Sequence, residues 1–72
     1  MNGRAERSCS EAGDIDATAQ SLLIAGERTK DFDVVKQAFS LWNSFHLPLC
    51  HIRALARGII EADKKENPQF YT

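Results

Sequence analysis

Cysteine is scarce: Cys9 and Cys50 are the only two in 72 residues. That count excludes a disulfide-rich scaffold. Cys9 falls in a polar leading segment, so a bridge to Cys50 would staple little. No Cys-x-x-Cys pair is present, which removes the commonest zinc and dithiol spacings. Long apolar runs are missing as well. The longest is Leu22-Leu23-Ile24-Ala25, far short of the ~18 residues of a membrane span. Asn2-Gly3-Arg4 leads into charge rather than into an apolar stretch, so no secretory signal is read there. A reducing, cytoplasmic setting is the expectation.

Excess charge of one sign is also absent: 9 basic and 10 acidic side chains give a net charge of −1. Dedicated nucleic-acid binders carry a basic surplus, because phosphate neutralisation dominates their affinity. The chain shows no internal repeat and no low-complexity stretch. Asp14-Ile15-Asp16 and Asp31-Phe32-Asp33 look like the start of a calcium loop. The loop's required glycine and glutamate are replaced by Ala19 and Ala25 after Asp14, and by Lys36 and Trp42 after Asp31. Both stretches read as helix starts.

What is present is helical spacing. Residues 1–12 hold little apolar surface and read as a flexible tail, residues 13–67 as a single helical domain, and residues 68–72 as a C-terminal tail. A folded unit that small is marginal as a lone hydrophobic core. Asp14 or Asp16 is placed to cap a short first helix carrying Ile15, Ala19, Leu22 and Leu23 on one side, with Gly26 just past its end. Thr29 or Asp31 opens a second helix. Its apolar set is Phe32, Val34, Val35, Ala38, Phe39, Leu41, Trp42 and Phe45. His46 and Leu47 connect it to a third helix that Pro48 starts and Asn67-Pro68 stops, with Lys64 and Lys65 near its end. The third helix has Leu49, Ile52, Leu55, Ala56, Ile59, Ile60 and Ala62 on its apolar face. The expected fold is all-α: a short first helix followed by an antiparallel helical hairpin.

The apolar arc of the second helix is wider than a helix packed on one side needs. Either both neighbouring helices cover it, or Val34, Leu41, Trp42 and Phe45 meet another chain. The functional expectation is a non-enzymatic interaction module, an adaptor, inhibitor or regulator, that binds a protein partner and self-associates as a homodimer. The alternative is a small DNA-binding regulator using Arg53, Arg57 and Lys64 on the third helix, against a plain solvated face with Arg57 paired to Glu61. His46, Cys50 and His51 cluster near the second connection, short of a zinc ligand set and without room for a catalytic cleft, so no metal and no cofactor is expected. The final Phe70-Tyr71 pair is expected to fold back on the helices.

Overall fold

A computed structural model describes the backbone over residues 2–71 and the side chains over residues 13–71. It contains three α-helices and a terminal turn: α1 (Asn2–Thr29), α2 (Phe32–Asn43), α3 (Leu49–Glu66) and a 3-10 turn at Pro68–Phe70. No strand occurs among the described residues, and the all-α expectation is met.

The first helix is far longer than a helix capped at Asp14 or Asp16 would be. Once nucleated, a helix adds one hydrogen bond per residue, and no proline stands before Pro48 to stop it. Asp14 and Asp16 therefore lie inside α1 and cap nothing. The 28 residues of α1 correspond to about 42 Å at 1.5 Å per residue, which sets the 50 Å long axis of the molecule. The radius of gyration is 13.6 Å, against about 11 Å for a compact chain of this length, because α1 projects past its neighbours.

Gly26 does not end α1 either. It has no positive φ, and the left-handed residue after the helix is Lys30, at φ 61°. Asp31 N–H donates to the Gly26 carbonyl at 2.8 Å, closing the helix end around Lys30. Asp31 then caps α2, as expected, its carboxylate accepting from Asp33 N–H at 3.2 Å. Gly26 has another task. A Cβ there would lie 2.7 Å from Val35 Cγ2, 2.9 Å from the Asp31 carbonyl oxygen and 3.0 Å from Val35 N. Together with the fully buried Ala19 and Ala38, it lets α1 and α2 approach closely.

The tightest helix pair is thus α1–α2, across the short Lys30-Asp31 link, and not the α2–α3 hairpin. The third helix starts beside Asn43 and lies across the α1–α2 pair, with Ile60 beside Leu23 and Glu27 of α1, packing more on α1 than on α2. Phe39 stands between α2 and α3. The core consists of Ala19, Leu23, Ala38, Trp42, Ile52, Ala56 and Ile60. On α3 the buried stripe ends at Asp63, while Leu49 and Ala62, both expected to be buried, are exposed.

Candidate interaction surface

The residues expected to meet a partner separate in the structure. Trp42 is 0% exposed, so it is a core residue and not a contact. Its indole N–H donates to Asp16 Oδ1 at 2.7 Å, and its ring lies 6.1 Å from that of Phe39 at a 42° tilt. Val34 and Leu41 are partly buried. At 100° per residue they fall on the flank of α2 away from Lys36 and Phe39. Phe45 sits at the open end of the α1–α2 pair. There it lines a pocket of about 430 Å³ with Leu47, Gly13 and Asp16.

The most exposed apolar side chains lie elsewhere. Phe32 is 66% exposed and Leu49 is 54% exposed. Phe32 stands seven residues before Phe39, close to two helical turns, and so shares its face of α2. Phe39 looks into the crevice between α2 and α3. That crevice has two hollows. One, of about 400 Å³, is lined by Lys36, Phe39, Ser40, Asn43, Leu49 and Ile52. The other, of about 290 Å³, is lined by Phe39 with Leu23, Glu27, Arg53, Ala56, Arg57 and Ile60. α1 takes the close contact with α2, and α3 packs less closely on α2 than on α1.

Arg53, Arg57 and Lys64 are all exposed. Lys64 Nζ sits over the Tyr71 ring at 5.5 Å, away from the crevice lining. Arg57 makes no ion pair with Glu61 among the described residues. His46, Cys50 and His51 are exposed. No group of three or more potential metal ligands occurs among the described residues. Cys9 lies outside the described side chains.

Sequence reasoning missed one polar cluster. Asp63 is 8% exposed, the buried carboxylate of the core. Arg28 grips it with two bonds, Nε to Oδ2 at 2.9 Å and Nη2 to Oδ1 at 2.7 Å. Asn67 Nδ2 donates to Oδ1 at 3.2 Å, and the Tyr71 hydroxyl donates to Oδ2. The chain end does fold back, as expected, and Phe70 stacks over the Arg28 guanidinium at 4.3 Å. The signal was legible in spacing: Ile52, Ala56, Ile60 and Asp63 form one helical stripe, so an acidic residue there needs a cation.

The Arg28 hydrogen bond, then the Tyr71 hydroxyl, hold the Asp63 carboxyl down at about 2, below its ordinary 3.8, against the opposing effect of burial. Its bond to Asp63 also raises the Arg28 guanidinium. Burial, then the bond to Asp63, raises Tyr71 above 10.0. A carboxyl lowered on folding stabilises the fold fully above its unfolded value and loses that contribution as pH falls through its folded value. Stability should therefore drop between about pH 4 and pH 2. Tyr71 acts in the opposite sense, its contribution being lost as pH rises above its ordinary 10.0. Thermal midpoints measured across the acid range check this. Asp63→Asn should lower the midpoint at neutral pH and flatten its fall in the acid window.

No helix among the described residues is long and apolar enough to cross a membrane. Comparison with known protein families, with curated proteins and with solved structures finds no match.

Proposed function

We propose that the protein is a non-enzymatic interaction module, a small adaptor, inhibitor or regulator that binds another protein through an apolar helical surface. The observation that carries this reading is the exposure of two large apolar side chains on the α3 side of α2: Phe32, on the same face of α2 as the partly buried Phe39, and Leu49 of α3, which borders a hollow with Phe39. Isolated exposed apolar residues are ordinary on a protein surface, but exposed aromatic and aliphatic side chains beside a hollow suit a binding surface. The flank expected from sequence, Val34 and Leu41, is better covered and takes second place.

Site-specific photo-crosslinking in the native host tests the proposal. A photoreactive phenylalanine replaces Phe32 or Leu49 in turn, with exposed Ala54 as the control position. The expected result is a discrete adduct from Phe32 and Leu49 that is absent from Ala54. An adduct of two copies of the chain would identify the partner as self, the homodimer. The same adducts from all three positions, or none from any, would contradict the proposal.

A further inference from the structure

The two hollows share Phe39 and form one crevice whose apolar floor, where solvent reaches it, is the partly buried Phe39 and the exposed Leu49; Leu23, Ile52, Ala56 and Ile60 beneath them belong to the buried core. Along α3 the crevice lining runs from Leu49 to Ile60, about 16 Å at 1.5 Å per residue, or about three helical turns. That length suits a short helix laid along the crevice.

The banks of the crevice carry charge of predominantly one sign. Lys36 stands on the α2 bank and Arg53 and Arg57 on the α3 bank, and all three are exposed. None of them makes an ion pair among the described residues. Glu27, at one end, is the one carboxylate among the described lining residues of the two hollows. This local balance departs from the chain as a whole, whose net charge is −1.

We propose that this crevice receives a short amphipathic helix of a partner protein, its apolar face on Phe39 and Leu49 and its acidic flanks against Lys36, Arg53 and Arg57. The proposal rests on the interaction-module reading and adds the chemistry of the partner. Both features of the crevice are then used: the floor takes the apolar stripe, and cations on both banks meet carboxylates on both edges. A nucleic-acid backbone would engage the cations but leave the apolar floor without a complement. A basic helix would be repelled from both banks.

Fluorescence anisotropy on the full-length chain tests this with two labelled peptides of about 14 residues, enough for the three turns of the lining. They share one leucine stripe; one is flanked by glutamate, the other by lysine. The glutamate peptide should bind about tenfold or more tightly than the lysine peptide, and weaken as salt rises. In the double variant Arg53→Glu/Arg57→Glu the preference should vanish or invert. Both positions are exposed, so the variant should keep its helical circular dichroism. Amide shifts on binding should fall at Lys36, Phe39, Leu49 and Arg53.

Equal binding of both peptides, binding of neither, or shifts confined to the Val34 and Leu41 flank would overturn the proposal. So would duplex DNA displacing the glutamate peptide and requiring the same two arginines, which would assign the crevice to nucleic acid. A crosslinked partner at Phe32 and Leu49 combined with failure of the glutamate peptide would remove the acidic helix and leave the interaction reading standing.

Discussion

Trp42→Ala should cost roughly 3–5 kcal/mol of unfolding free energy, the range for truncating a large buried aromatic. Stability of small domains lies near the low end of about 5–15 kcal/mol, so the variant should sit close to its unfolding transition at room temperature. The size of the effect follows from position. Trp42 is one of the largest fully buried side chains, with Leu23 and Ile52, one from each helix. Its indole ties α2 to α1 through Asp16 and lies in the core completed by Ile52, Ala56 and Ile60 of α3. Trp42→Phe separates packing from polarity. It keeps an aromatic ring but removes the donor to Asp16 Oδ1, while Gln20 Nε2 still donates to Oδ2 at 2.8 Å. Asp16 is only partly buried, so water can replace the indole, and the lost hydrogen bond should cost about 1 kcal/mol beyond the loss of volume. Urea unfolding followed by far-ultraviolet circular dichroism measures both.

Gly26→Ala should also destabilise, against the usual rule. In a helix interior alanine is favoured over glycine by about 1 kcal/mol. At Gly26 the new methyl would meet Val35 Cγ2 at 2.7 Å and backbone atoms of Asp31 and Val35 at 2.9 Å and 3.0 Å. A flexible side-chain tip can move aside, but two backbone atoms move only if α2 moves. The expected net cost is about 1–3 kcal/mol, the range for overpacking a close contact. Gly58→Ala is the matching control. Gly58 is exposed within α3 and a Cβ there meets nothing within 4 Å, so this substitution should stabilise by about 0.5–1 kcal/mol. The opposite signs of two identical substitutions test whether α1 and α2 touch at their backbones.

Gly26 also shows where sequence stops being informative. Glycine after an apolar stripe marks a helix end as readily as a close crossing, and spacing alone does not separate the two. Here Lys30 takes the left-handed position, a residue that carries no such signal. The parts that were legible rest on side chains with one common local role. Asp31 caps α2, Pro48 precedes α3, and Lys64 and Lys65 stand in its last turn, followed by Asn67-Pro68. The buried set Ala38, Trp42, Ile52, Ala56 and Ile60 follows directly from helical period.

The surface was harder to read than the core. A helical wheel shows how wide an apolar arc is, but coverage depends on which neighbour lies closest. The short Lys30-Asp31 link and the small residues Ala19, Gly26 and Ala38 draw α1 against α2. That contact buries Trp42, covers much of Leu41, and leaves Phe32 and Leu49 open. The stripe on α3 marks Asp63 as a buried acid, but not what pairs with it. Its partners Arg28 and Tyr71 come from α1 and the chain end, one of them 35 residues away in sequence.

On this reading Phe32 and Leu49, at the α2–α3 side, are open to a partner in the free protein, while the core side chains beneath them are not. Nuclear magnetic resonance in dilute solution with a soluble paramagnetic chelate tests it directly, because relaxation of side-chain protons reports solvent access residue by residue. Strong broadening is predicted for the Phe32 ring and the Leu49 methyls, with Trp42, Leu23 and Ile52 protected. Phe32 and Leu49 protected to the same degree as Trp42 would contradict the account.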